Sequence, residues 1–461
     1  MEIINESKIS DLLVKHSKPS SEEINEVIDE AKKARGLTLE QAAILINISK
    51  QEDLEKLFAT ANEVKELIYG KRVVLFAPLY LSNYCTNNCL YCGFRVANKE
   101  IHRNVLTTED IKMEVLEILR QGHKRVLLLM GEHHKKMSLE KFIEAIKTVY
   151  SVKDEKDSSI RRINVEIEPL SEEEFQLLSE VPIGTYTVFQ ETYHRQTYKE
   201  VHLSGKKADY DWRLQVMDRA LSNGMRDVGI GALFGLYDYR FEVLGLISHS
   251  FYLEEKYGIG PHTISIPRIR HAENAPLSEA IPHSVNDTDF RKLVAVLRLS
   301  VPYTGMILST RETIELRMEL LNLGISQISA GSRTNPGGYK QAADNSPDAQ
   351  FNLNDTRTSG EVIKDVIKQG FIPSFCTSCY RRGRVGKDFM DQAKPGLIKQ
   401  FCQPNGLFTL KEYLIDYADE ETKEIGDLLI EKNIESLPEN IREKSRQVLD
   451  SIGTGQRDIY F

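Results

Sequence analysis

Along the first 70 residues the apolar positions recur at helical spacing. Each stretch is announced by a capping pattern, Ser20-x-x-Glu23, Thr38-x-x-Gln41 and Ser49-x-x-Glu52, in which a hydroxyl and an acid or amide three residues on satisfy each other's backbone donors. Gly70 is the expected stop. From there the period changes. Short runs rich in β-branched and aromatic residues predict strands at 72–81, 125–130, 163–170, 185–192, 227–236, 262–269, 304–310 and 325–330. Between them lie amphipathic patterns at 108–121, 138–149, 171–180, 210–223, 241–257, 287–299 and 312–321. Strands alternating with helices imply a parallel sheet. Eight such units predict an α/β fold, a (βα)8 TIM-type barrel whose active site lies at the C-terminal ends of the strands. An open doubly wound sheet is the competing arrangement.

Gly331-Ser332-Arg333-Thr334-Asn335-Pro336-Gly337-Gly338 follows the eighth strand, and a polar stretch runs on through Asn345, Asn352 and Asn354. This marks a loop-rich exit from the barrel. Helical patterns return at 361–369 and 414–449. Three parts are expected: an N-terminal helical extension over 1–70, the barrel over 71–335, and a mainly helical C-terminal domain over 336–461.

Composition narrows the class of protein. With 41% hydrophobic and 28% charged residues, and no apolar run near the roughly 20 residues a membrane span needs, a soluble, cytoplasmic protein is expected. Its first residues carry neither the basic start nor the apolar stretch of a secretory signal. A formal charge of −8 and the lack of a basic stripe argue against nucleic-acid binding, which depends on Lys and Arg contacts to phosphate.

The six cysteines fall in two groups of three, Cys85/Cys89/Cys92 and Cys376/Cys379/Cys402. Without a secretory signal they point to metal or redox chemistry rather than to a disulfide framework. The first group, in Ser82-Asn83-Tyr84-Cys85-Thr86-Asn87-Asn88-Cys89-Leu90-Tyr91-Cys92-Gly93-Phe94, follows the first strand and so sits at the catalytic rim. Three thiolates ligate three corners of a [4Fe–4S] cluster and leave one iron open; a zinc site completed by a histidine is the alternative. Cys-x2-Cys-x22-Cys at the second group again supplies three ligands, for a second cluster with an open corner or for a zinc knuckle completed by a remote histidine.

Cys-x3-Cys-x2-Cys, with Tyr91 before its last cysteine, resembles the motif of the radical S-adenosylmethionine (SAM) superfamily. The resemblance implies that SAM chelates the open iron and is cleaved reductively to a 5′-deoxyadenosyl radical. It also implies cofactor contacts at Met130-Gly131-Glu132, which closes the second strand like the superfamily's Gly-Gly-Glu motif with Met130 in place of the first glycine, and at Glu191, which ends the fourth strand. Arg213 is a candidate for the methionine carboxylate, against an ordinary surface arginine. Gly229 and Gly231 would let the fifth strand approach adenine.

With both triads present, the chain resembles the tyrosine lyases of di-iron hydrogenase maturation over nearly its whole length. The segments that carry the resemblance are 77–85, 190–193, 308–312, 327–333 and the C-terminal triad. This implies cleavage of the Cα–Cβ bond of L-tyrosine to p-cresol and dehydroglycine, and conversion of dehydroglycine to carbon monoxide and cyanide on iron at the second cluster. It further implies a reductant such as ferredoxin or flavodoxin, and hydrogenase-maturation proteins as partners. A zwitterionic substrate needs a cation for its carboxylate. Arg311, just past the seventh strand, is the first choice, with Tyr80, Ser329 and Ser332 as hydrogen-bond partners. By the same resemblance His262 ligates a labile extra iron on the second cluster, although it opens the sixth strand rather than ending it. Two competing functions are a thiazole-type tyrosine lyase that releases dehydroglycine only, and a non-catalytic iron–sulfur scaffold.

Overall fold

The structure, a computed structural model, describes residues 2–341 and 346–461; of the polar exit, Asn345 lies outside them. All eight expected strands form. They are β1 (Arg72–Ser82), β2 (Arg125–Met130), β3 (Arg162–Glu166), β4 (Tyr186–Glu191), β5 (Val228–Ala232), β6 (Thr263–Ser265), β7 (Gly305–Leu308) and β8 (Gln327–Ser329). They pair in parallel in chain order, and β1 bonds both β2 and β8, so the sheet closes into a barrel. The open-sheet arrangement is thereby excluded.

Most strands are shorter than their hydrophobic runs. The run at 227–236 illustrates why: pairing ends at Ala232, while Leu233 and Leu236 stay buried by packing against Cys89, Tyr91 and Ile269 at the rim. Burial and pairing end at different residues. The helix expected at 210–223 breaks at Gln215 into Tyr210–Leu214 and Val216–Ser222. Glu312 lies outside the helix Ile314–Leu321 and instead pairs, buried, with Arg268 and Arg270.

Capping boxes form at Ser20 and Thr38, as their spacing requires. Ser49 is displaced: Lys50 is the N-cap of the helix Gln51–Tyr69, without a side-chain cap. That helix packs against the helix Asp287–Ser300, which also receives Leu39–Ile46, so the N-terminal helices lie on the barrel wall.

The chain after the exit returns to the sheet. β9 (Ile372–Ser374) runs parallel to β1, with Arg72, Val73 and Val74 opposite Ile372, Pro373 and Ser374. The upper part of β1, from Ala77, pairs with β2. β9 therefore occupies the place below β2, at the N-terminal ends of the barrel strands, and carries the chain to Cys376. The helix Lys399–Asp416 packs on β9 and brings Cys402 to the same end.

Candidate active site

At the upper end, the loop carrying Cys85, Cys89 and Cys92 leaves β1 after a register shift between Tyr80 and Ser82. It is held by backbone hydrogen bonds to three other segments: Leu90 N to Val201 O, Gly93 N to Gln350 O and Thr86 N to Glu132 O. Arg103 staples it from below, its guanidinium donating to the carbonyls of Asn83, Phe94, Arg95 and Asn98. Tyr91 is buried and its hydroxyl meets His202 Nε2 at 2.8 Å.

Gly131 lies directly under this loop. A Cβ there would stand 2.3 Å from Tyr84 O and 3.3 Å from Cys85 Cβ, so only glycine allows the end of β2 to touch the cysteine loop. Met130, the preceding residue, is half-buried on β2.

The three polar residues expected at the cofactor converge here. The Glu132 carboxylate accepts from Asn87 and from Arg213, Nη1 at 3.2 Å. Glu191 accepts from Lys207 Nζ at 2.6 Å and lies 4.0 Å from Arg213. Burial pushes the Glu132 pKa up, yet Arg213 and Lys207 hold it below the ordinary carboxylate value. Arg213 is 6% exposed, which excludes an ordinary surface arginine. Glu191 has φ +71 at a register shift between β4 and β5, a left-handed conformation costly outside glycine and typical of functional sites. Gly229 and Gly231 make room for neighbours within the sheet, Thr187 and Thr263 at the first and Phe189 at the second. Lys207 and Asn87 complete the polar network. Neither was legible beforehand, because Lys207 comes from a short turn, Lys206–Ala208, with no periodic signal.

Inside the barrel below this rim lies a cavity that includes Tyr80, Arg311, Ser329 and Ser332 in its wall. Tyr80 donates to Gln350 Oε1 at 2.7 Å. Arg311 stacks on Phe351, 3.3 Å from the ring centroid, and reaches one carbonyl, Arg268 O, at 3.5 Å. Among the described residues it has no ion-pair partner. The Ser332 hydroxyl is buried without a hydrogen-bond partner. Gln350 and Phe351 reach this site from the polar exit, where the sequence pattern predicts only a loop. Glu166 also lines the cavity, and here a signal existed: in Ile163-Asn164-Val165-Glu166 polar residues alternate with apolar ones, which puts Asn164 and Glu166 on one face of β3.

At the lower end a second cavity gathers Cys376, Cys379, Cys402 and His262 with Arg72, Arg125 and Tyr380. Cys376 follows β9 and its carbonyl accepts from Arg125 at 2.9 Å. Ser378 Oγ lies 3.2 Å from Cys376 Sγ and accepts from Asn405 at 3.0 Å. His262 is buried between Phe389, centroids 4.3 Å apart, and Asp227, 3.4 Å from Nδ1, with Nε2 3.3 Å from the Tyr380 hydroxyl. Its position at the start of β6 matches the location of this triad, which also sits at strand starts. Gln327 lines both cavities, at the waist between them.

Both thiol sets fit iron–sulfur clusters. All six cysteines are free, and burial pushes Cys85 up to about 12 and raises Cys89 and Cys92 as well. Thiolates at such places need positive charge beside them, which bound iron supplies. In the lower set a hydrogen bond from Cys379 lowers the Cys402 pKa, helped by Arg72 and Arg384. Among the described residues no three His, Cys, Asp or Glu side chains converge on one ion-sized point, as a closed zinc site would require. A cluster places each thiolate on a different iron.

Comparison with known proteins agrees with this geometry. The sequence profile of the Radical SAM superfamily matches residues 79–244, which hold the first triad and the polar network, and that of the Biotin and Thiamin Synthesis associated domain matches 265–372. The 2-iminoacetate synthase of Escherichia coli K12 is 35% identical over 355 residues, 75% of this chain and 89% of that protein. The chain belongs to the radical SAM family of 2-iminoacetate synthase. It is a radical SAM enzyme with a closed TIM-type barrel. The crystal structure of a HydG, described as a maturase of the [FeFe]-hydrogenase, is 47% identical, covers 100% of both chains and superposes with a TM-score of 0.96. HydG from Carboxydothermus hydrogenoformans is 42% identical over 96% of this chain and 97% of that one, with a TM-score of 0.84. Among the described residues no helix is long and apolar enough to cross a membrane.

Proposed function

We propose that this enzyme cleaves L-tyrosine to p-cresol and dehydroglycine in the upper cavity, and that dehydroglycine passes through the barrel to the lower triad. There its atoms become carbon monoxide and cyanide on iron for [FeFe]-hydrogenase maturation. The observation that carries this reading is one barrel with a cysteine triad at each end and a cavity between them in which Arg311 has no carboxylate of its own.

Cys85, Cys89 and Cys92 would hold a [4Fe–4S] cluster, with Tyr91, Met130, Gly131, Glu132, Glu191 and Arg213 around SAM; bound together, cluster and SAM supply the radical that removes a hydrogen atom from substrate. Arg311 binds the tyrosine carboxylate. Its face is fixed by Phe351, so little rotamer freedom is lost when two parallel hydrogen bonds form. The unpartnered Ser332 hydroxyl and Ser329 complete that end of the site, and Tyr80, anchored by Gln350, borders it. Phe76, Leu127, Leu129 and Phe189 give the substrate ring an apolar wall. The enclosed barrel excludes water from a radical. Cys376, Cys379 and Cys402 would hold the second cluster, with His262 beside it as ligand to an extra iron. The electron comes from a ferredoxin- or flavodoxin-type protein, and the product goes to hydrogenase-maturation partners.

Anaerobic reconstitution with iron and sulfide, followed by SAM, dithionite and tyrosine, tests the reading. p-Cresol, 5′-deoxyadenosine and haemoglobin-trapped carbon monoxide are expected. Absence of p-cresol overturns the reading; p-cresol with dehydroglycine but no carbon monoxide indicates the thiazole-type activity of the 2-iminoacetate synthases instead.

A further inference from the structure

The upper cavity carries little charge. Of its lining residues Arg311 is the one cation and Glu166 the one carboxylate; the rest are apolar, hydroxyl or amide side chains. Glu166 ends β3, opposite Leu129 of β2 and Thr187 of β4. Among the described residues its carboxylate accepts no hydrogen bond and joins no ion pair. The neighbouring acids are engaged, Glu132 by Asn87 and Arg213 and Glu191 by Lys207. One unpaired guanidinium and one unpaired carboxylate facing one cavity form a complementary pair for a zwitterion, and Arg311 takes its carboxylate.

We propose that Glu166 binds the ammonium group of the amino-acid substrate and removes one proton from it before the hydrogen atom is taken from that nitrogen. The assignment rests on the tyrosine reading and deepens it. In the first step an N–H bond breaks heterolytically, nitrogen keeps the electron pair, and the proton passes to a Glu166 oxygen. The neutral amine then has a lone pair, which an ammonium lacks. Loss of one hydrogen atom from nitrogen, followed by homolysis of Cα–Cβ, gives the imine dehydroglycine and a 4-hydroxybenzyl radical. To become p-cresol that radical needs one electron, from the low-potential reductant, and one proton. Nitrogen and Cβ flank the same Cα before that bond breaks, so protonated Glu166 stays beside the benzyl carbon, returns the proton once the electron has arrived, and is reset.

The surroundings suit this exchange. Burial raises the Glu166 pKa and Glu191 adds to it, while Lys207, Arg311 and Arg213 oppose them, leaving it at about 7. Tyr80, which lines the same cavity, stays neutral because burial, and Glu166 itself, push its phenol up. An acid–base group is most effective when its pKa lies near the working pH.

Two readouts test the assignment on the cluster-loaded enzyme. The first is tyrosine affinity by calorimetry between roughly pH 5.5 and 8. Because the ammonium pairs with the ionised carboxylate, wild-type affinity should rise about tenfold with pH and level off above the Glu166 pKa, whereas Glu166→Gln should be flat. The second is p-cresol formation, which should fall on the order of 10²-fold in Glu166→Gln and recover in part, with the pH dependence, in Glu166→Asp. Wild-type p-cresol rates and an unchanged pH dependence in Glu166→Gln overturn the proposal. Equal loss in the Gln and Asp variants assigns Glu166 a structural role and also overturns it. A wild-type enzyme that makes no p-cresol overturns the tyrosine reading itself, and this proposal with it.

Discussion

The two ends of the barrel hold three cysteines each but build their sites differently. The upper triad lies within eight consecutive residues on one loop, and that loop is fixed by backbone bonds to three segments and by the four-carbonyl staple of Arg103. The lower triad is assembled from the end of β9, the short helix Ser378–Arg381 and the helix Lys399–Asp416. Its cross-braces are single side-chain bonds such as Asn405 to Ser378. A ligand set on one loop is gathered by its own short span of chain, and the segments around it fix that loop in place. A set spread over three elements exists only after they have packed.

This contrast can be broken at several points. The largest effect is expected for Cys85→Ala, Cys89→Ala or Cys92→Ala, each of which should abolish both 5′-deoxyadenosine and p-cresol, measured chromatographically. Replacing Cys376 and Cys379 together by Ala should leave p-cresol within about a factor of two and eliminate carbon monoxide if, as proposed, tyrosine is cleaved at the upper end alone; loss of p-cresol would show the ends to be one unit. On the proposed reading, Arg311→Ala would remove a bidentate charge-assisted contact worth ~3 kcal/mol and should raise the tyrosine KM about 10²-fold without changing the iron content. Smaller again, Arg103→Ala leaves several carbonyls unsatisfied around the upper loop only, so about half of the bound iron should be lost while the lower cluster's paramagnetic signal persists. Asn405→Ala removes one neutral hydrogen bond, at about 1 kcal/mol, and should lower the thermal midpoint by a few degrees with little change at the upper end.

The same difference decided what could be read from the sequence. Eight strands, their order and the first triad follow from local patterns, runs rich in β-branched and aromatic residues, capping pairs and a fixed cysteine spacing, and all eight strands form, most of them shorter than their runs. Arg213 could be named but not placed, since only the folded barrel shows it buried against Glu132. Lys207, Gln350 and Phe351 reach the site from a turn and an exit loop, where no period distinguishes a residue that points inward. His262 looked misplaced at the start of its strand as long as every functional group was expected at the strand ends; β9, three residues long, is the element that carries the second triad to the opposite side. Its pairing with β1 has no local signature, because the partners are far apart in the chain.

That distance also orders events during synthesis. Arg72–Val74 are made early, yet their partners Ile372–Ser374 emerge roughly 300 residues later, a long loop whose closure is slow and entropically costly. A nascent chain can therefore finish its upper loop, and take up iron there, while the lower end is still unbuilt. A chain truncated near residue 360, which keeps Gln350 beside the upper loop but lacks β9, should bind one cluster's worth of iron and no more.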